Sequence, residues 1–128
     1  MDRLPIANTI TILVVDDDNL LRQQMRRVME QAGYQVVEAE NGEQALAAYT
    51  QFRPSLVLLD AVMPVMDGFF CCRHMRNLPD GDLVPILIVT RLDDAESLQL
   101  AFDAGATDFI TKPINEIVLR QRVQHLLK

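Results

Sequence analysis

The chain is short of the side chains that hold transition metals. Its 128 residues include only two histidines, His74 and His125, and two cysteines, Cys71 and Cys72. The cysteines are neighbours, and adjacent residues rarely reach disulfide geometry. No second cysteine pair exists to complete a zinc site with them. They are expected as small, semi-buried thiols on a helix, in a reducing compartment. No apolar run is long enough to cross a bilayer, and Met1–Ala7 lacks the pattern of a secretory leader. Positive charge is scarce: 12 Lys and Arg stand against 18 Asp and Glu, for a net charge of −6. That argues against a direct nucleic-acid surface or an anionic-membrane surface. Internal repeats and low-complexity stretches are absent too. These absences together predict a cytoplasmic protein.

What is present is ordinary for one globular domain with a real core: 49% apolar and 23% charged residues. Met1–Thr9 reads as a flexible lead-in, and residues 10–128 as the domain. Ile10–Val15 is a buried strand ending in Asp16, Asp17 and Asp18. Asn19 is placed to cap a helix to about Ala32, with Leu21, Met25, Val28 and Ala32 on one face. Gly33 closes it. Tyr34–Glu38 is a second strand. Asn41 and Gln44 form a capping box for a helix to Phe52. Ser55–Leu59 is an apolar run that stops at Asp60. Pro64 and the pair Asp67–Gly68 turn the chain into a helix from Asp67 to Asn77, and Leu78–Asp82 is an exposed loop. Pro85–Thr90 is the fourth strand. Asp93 and Glu96 cap a helix to Ala104, and Gly105 ends it. Thr107–Thr111 is the fifth strand, stopped by Lys112–Pro113, and Asn115 caps a final helix to Lys128. His74 and His125 fall on helices and receive no role.

Strands alternating with helices predict βαβ units, hence a parallel sheet with helices on both faces. Five units favour the doubly wound order 2-1-3-4-5. In that order the carboxyl ends of strands one and three are neighbours, which gathers Asp16, Asp17 and Asp60. Strands four and five add Thr90 and Lys112. Close carboxylates repel unless a cation sits among them, and few, hard oxygen ligands open to water suit Mg²⁺. With a lysine and a hydroxyl alongside, the pocket can cradle a phosphoryl group. Asp60, rigid at a strand end, is the candidate nucleophile. The Lys112–Pro113 bond is expected to be cis, because the chain must turn sharply to aim the lysine back at Asp60.

Taken in order, Asp16–Asp17, Asp60 with Pro64 and Asp67–Gly68, Thr90, and Lys112–Pro113 resemble the response-regulator receiver domain of two-component signalling. The resemblance runs from about Ile10 to Lys128. It implies a flavodoxin-like receiver fold and a phosphoacceptor signalling domain that catalyses only its own phosphoryl transfer and dephosphorylation. Asp60 would accept phosphate from a phosphohistidine on a sensor histidine kinase or phosphotransfer protein. Asp17, Asp60 and the main-chain carbonyl of Val62 would ligate Mg²⁺, with Asp16 acting through water. Lys112 would pair with the phosphoryl group and Thr90 would swing to bond it. Phe109 stands where a switching aromatic is expected, without the hydroxyl that a tyrosine would bring.

Some positions depart from the family pattern. Arg91, a long cation, follows Thr90 where the family usually has a small residue. Val62 and Leu92 are apolar where groups near the hydrolytic water are often polar. Asp18 reads as a helix-start acid. A flavin site is disfavoured, because Asp16–Asp18 would repel its phosphate. A phosphatase with an aspartate nucleophile is disfavoured by Val62, which stands where the second acid belongs. The rival reading is a phosphorylation-independent interaction module, and labelling of Asp60 by a small phosphodonor separates the two. The helix Asp93–Ala104, strand five and the last helix form the expected output face. Acids there (Asp93, Asp94, Glu96, Asp103) and bases (Arg120, Arg122, Lys128) suit a homodimer. Gly105–Asn115 is also similar to receivers fused to cyclic-di-GMP enzymes, which points to a fused output domain of that kind.

Overall fold

A computed structural model describes residues 9–92 and 94–128. Its elements are β1 (Thr11–Val15), α1 (Asn19–Gln31), β2 (Gln35–Ala39), α2 (Gly42–Phe52), β3 (Leu56–Asp60), α3 (Gly68–Arg76), β4 (Ile86–Thr90), α4 (Ala95–Asp103), β5 (Asp108–Thr111) and α5 (Glu116–Leu126). The strands form one parallel sheet in the order β2-β1-β3-β4-β5. Each strand falls within a residue or so of the sequence reading. Asp60 is the last residue of β3 itself rather than the first beyond it.

The strand sequences are apolar throughout because both faces of the sheet are covered. Alternation sends Leu13, Val15, Val57, Leu59, Ile86 and Ile88 to one side, where they meet Ala45 and Tyr49 of α2, Cys71, Cys72 and Met75 of α3, and Ala101 of α4. Ile12, Val14, Leu56, Leu58, Leu87 and Val89 point the other way, onto Met25, Val28 and Met29 of α1 and Leu119 and Val123 of α5. Burying each large aliphatic side chain is worth about 1.5–3 kcal/mol. The two layers therefore hold the strand ends rigidly. Both cysteines are fully buried, not semi-buried as their small size suggested, because the inner face of α3 lies directly on the sheet. Burial pushes the Cys71 thiol up to about 12 and that of Cys72 to about 11. Both are inert, protonated core residues.

Helix starts follow capping chemistry, with four adjustments. Asp18, not Asn19, caps α1: its carboxylate accepts from the N–H groups of Leu20 and Leu21. Asn19 becomes the first helical residue. Asn41 caps α2 as expected, but Gln44 returns its bond to the N–H of Glu40 instead of to Asn41. α4 is capped by Asp94, which accepts from the N–H and hydroxyl of Ser97. The expected cap Asp93 lies outside the described residues, as do residues 1–8 of the lead-in. Asn115 caps α5 as expected, Asp67 caps α3 rather than opening it as a helical residue, and Lys112–Pro113 is cis as expected. Gly33 and Gly105 have φ of +95° and +98°, the left-handed closures expected of them. Among the described residues no helix is long and apolar enough to cross a membrane.

Candidate functional site

The site lies at the carboxyl ends of β1, β3, β4 and β5. Asp16 follows β1 directly and is fully buried. Asp60 ends β3 and is 4% exposed. Asp17, the next residue of the β1–α1 loop, is exposed. Each of the three acids has a carboxylate oxygen within 4.8 Å of those of the other two. The sheet order alone explains this meeting, since β1 and β3 pair through Val15 and Leu59.

Lys112 crosses from the end of β5. Its ammonium donates to Asp16 Oδ2 at 3.1 Å and to Asp60 Oδ1 at 3.3 Å. Its side chain is 8% exposed. The remaining Asp16 oxygen, Oδ1, accepts from the N–H of Asp18 at 2.9 Å, and Asp60 Oδ1 also accepts, weakly, from the N–H of Val62 at 3.4 Å. One ammonium thus serves two buried carboxylates, and charge balance is incomplete. Asp60 shows the effect. Burial first, and then the neighbouring Asp16 charge, push its carboxyl up to about 6, against the opposing pull of Lys112.

Thr90 ends β4, is 3% exposed, and its hydroxyl accepts from the N–H of Leu92 at 3.0 Å. Its carbonyl accepts from the N–H of Lys112 at 2.7 Å, so the ends of β4 and β5 are directly tied. The β3–α3 loop folds tightly beneath the pocket. Gly68 donates to the Ala61 carbonyl at 2.8 Å. It must be glycine, because a Cβ there would run into the Asp60 carbonyl oxygen. Val62, Arg91 and Leu92 line the pocket mouth with the acids. Among the described residues Arg91 makes no ion pair with them. Phe109 lies apart from the pocket on β5, with its ring edge-to-face against Phe102 of α4 at 6.2 Å. Asp18 turns to α1 as its cap.

The donor set is all oxygen, two carboxylates buried and one open to water. That fits a small hard cation such as Mg²⁺, which binds through one or two carboxylates and keeps several waters. The incomplete charge balance at Asp60 fits it as well, since a cation there stabilises the ionised form.

Two participants were not foreseen from the sequence. Arg22 is 8% exposed and donates from Nη1 to the Asp16 main-chain oxygen at 2.8 Å. Glu38, the penultimate residue of β2, accepts from Arg22 Nε at 2.8 Å. The available signal was a cation in register with Met25 and Met29 on the buried stripe of α1.

A doubly wound α/β domain with an acidic, lysine-bridged pocket at its switch point is the class that this fold and site define. The chain belongs to the response regulator receiver domain family, whose model matches residues 12–124. Relatives include response regulator MprA of Mycolicibacterium vanbaalenii, 40% identical over 115 residues, which covers 88% of this chain and 49% of that protein. MprA of Mycobacterium tuberculosis is 39% identical over 116 residues, covering 89% and 50%. The chain thus spans about half the length of the curated relatives it matches. Among solved structures, Vibrio cholerae chemotaxis protein CheY4 superposes with a TM-score of 0.89 at 33% identity, covering 93% of this chain and 99% of that one. The signal receiver domain of a signal transduction histidine kinase from Syntrophus aciditrophicus gives 0.86 at 34% identity, covering 93% and 90%.

Proposed function

We propose that this chain is a working phosphoacceptor of two-component signalling. Asp60 takes a phosphoryl group from a phosphohistidine of a sensor histidine kinase or phosphotransfer protein, with Mg²⁺ as the required ion. The observation that carries this reading is the convergence of Asp16, Asp17 and Asp60 under the Lys112 ammonium. A purely structural lysine has no need of two buried acids, and an interaction module has no need of either.

In the transfer, an Asp60 carboxylate oxygen attacks phosphorus. The bond from phosphorus to the donor imidazole nitrogen breaks, and its electron pair stays on that nitrogen. With Asp60 raised only to about 6, most molecules carry the ionised nucleophile at neutral pH. Asp17, Asp60 and the Val62 main-chain carbonyl would hold Mg²⁺, with Asp16 acting through water. When bound, the ion neutralises charge on the phosphoryl oxygens. Lys112, already beside Asp60, pairs with the phosphoryl group once Asp60 has become an acyl phosphate. The Thr90 hydroxyl leaves Leu92 to bond the same group. The tie from Lys112 to the Thr90 carbonyl passes the movement into β4 and β5, and Phe109 repacks against Phe102.

The receiver occupies residues 10–128, with 1–9 as lead-in, and acts in the cytoplasm. Its partners are the phosphodonor, a second copy through α4, β5 and α5, and an output domain. The half of the relatives' length that lies beyond the match leaves room for such a domain. The test is intact-mass analysis after treatment with acetyl phosphate. One added phosphoryl group is expected with Mg²⁺, none after EDTA, and none in Asp60→Asn or Asp17→Asn. Equal labelling of wild type and Asp60→Asn refutes the assignment.

A further inference from the structure

Arg22 sits on α1, one turn inside the helix, yet it is among the few buried charged residues. Its guanidinium spends donors on three separate elements. Nη1 bonds the Asp16 carbonyl, Nε bonds Glu38 Oε1 on β2, and Nη2 bonds Asn19 Oδ1 at the start of α1. Glu38 is itself held on its other oxygen by Arg26. The Asp16 N–H donates to the Ala39 carbonyl at 3.2 Å. The Asp16 backbone is therefore gripped from both sides, by β2 and by Arg22.

The carbonyl that Arg22 holds belongs to the peptide joining Asp16 to Asp17. That peptide is planar, so fixing its oxygen fixes the direction in which Asp17 leaves it. Asp17 is the exposed acid of the three. Among the described residues no other side chain bonds this peptide. Without Arg22 the segment keeps the Asp16 N–H bond to Ala39 and the turn from the Asp18 N–H to Asp16 Oδ1, but no side chain holds the carbonyl itself, and the Asp17 carboxylate is less firmly aimed at Asp16 and Asp60.

We propose that Arg22 is a positioning residue for the acidic pocket, which presents Asp17 to the divalent cation by holding the Asp16–Asp17 peptide. The proposal rests on the reading of the pocket as a Mg²⁺ site. Its sign is diagnostic. Arg22 is a positive charge near a cation site, so charge alone predicts that removing it tightens Mg²⁺ binding. Positioning predicts the reverse. A purely structural role, stapling α1 to β2, predicts a lower melting temperature in EDTA with unchanged affinity for the ion.

The experiment is Mg²⁺ titration by calorimetry of wild type, Arg22→Gln, Arg22→Lys and Arg26→Gln, with melting in EDTA measured beside it. Arg22→Gln is expected to bind Mg²⁺ roughly ten-fold more weakly, as losing a group that orients a metal ligand does. Arg26→Gln, which loosens Glu38 without touching Asp16, keeps wild-type affinity. Arg22→Lys retains the charge but replaces three separated guanidinium nitrogens by a single one, which cannot reach Glu38, Asn19 and the Asp16 carbonyl together, so it too binds more weakly. It carries the test alone if Arg22→Gln fails to fold. Equal or tighter binding by the folded Arg22 variants overturns the proposal. Wild-type Mg²⁺ affinity in Asp17→Asn would instead overturn the reading of the pocket, whatever Arg22 does.

Discussion

Lys112 Nζ stands 3.3 Å from Asp60 Oδ1 while also holding Asp16 at 3.1 Å, so Asp60 has only a share of one cation. Its carboxyl is pushed up to about 6 by burial and by Asp16. An acid raised in the folded state binds its proton more tightly there than when unfolded. Folding is then favoured by low pH, and this contribution falls away as pH rises from about 4 to about 6.

The metal-free protein therefore carries an electrostatic cost at neutral pH that Asp60→Asn removes. In EDTA at pH 7.5 the variant should be more stable than wild type by about 3 kcal/mol, since the carboxyl rises from 3.8 to about 6 and raising a carboxyl's pKa by one costs the ionised form about 1.4 kcal/mol. The advantage should shrink by pH 4.5 and also on adding Mg²⁺ to wild type. Urea denaturation at the two pH values checks it. A variant less stable at pH 7.5 would mean that Lys112 fully compensates the Asp60 charge.

The β3–α3 loop carries a separate cost. Val65 is fully exposed and has φ of +72°, a conformation that a β-branched residue adopts only under constraint. Asparagine tolerates it, and no packing is lost at an exposed side chain. Val65→Asn should raise stability by about 1 kcal/mol, roughly 4 °C in Tm. Thermal melts decide this, and a lower Tm would place the constraint elsewhere in the loop.

Much of this was legible in the sequence because the strands are continuous apolar runs punctuated by Gly, Pro and acids. That pattern gives the sheet, and the strand order then gives the meeting of Asp16, Asp17, Asp60, Thr90 and Lys112. The caps slipped by one residue where several competent residues stand together, as in Asp16-Asp17-Asp18-Asn19. Any of these can cap, and only packing of the first turn selects one. Arg53 closes α2 with φ of +46°, a place where glycine is the usual signal. Arg22 was not singled out because its partners are a main-chain carbonyl and a residue sixteen positions away. Neither kind of partner leaves a local pattern.

Phosphate lifetime follows from the pocket mouth. Val62 is 61% exposed beside Asp60, and Leu92 packs partly into the core. Neither side chain can hydrogen-bond a hydrolytic water. Val62→Asn should speed loss of the phosphoryl group roughly ten-fold, a barrier change of about 1.4 kcal/mol. Intact-mass decay after removal of the phosphodonor measures it. An unchanged half-life would show that the water is oriented from elsewhere.

The proposed dimer face on α4, β5 and α5 has a better probe than its charges. Arg120 lines the groove on the α1 side of α5, so it cannot serve a contact centred on β5. Arg122 is on the β5 side, but it already donates to Asp108 Oδ2 at 2.9 Å and to the Phe109 carbonyl at 3.2 Å. Reversing Arg122 would therefore damage β5 as well as any interface. Phe102 is the better probe. It is 49% exposed on α4, stacks edge-to-face on Phe109, and has Asp103 beside it. Exposed aromatics are frequent anchors of interfaces. If phosphorylation repacks Phe109, the position of Phe102 changes with it, and the face that a second copy meets is altered. Phe102→Ser should weaken dimerisation of the beryllofluoride-treated protein by about five-fold or more, about 1 kcal/mol, while leaving acetyl phosphate labelling of Asp60 intact. Asp103→Lys should act in the same direction through the rim. Sedimentation velocity across a concentration series reads both. Association unchanged in both variants would place the dimer contact on a face other than α4, β5 and α5.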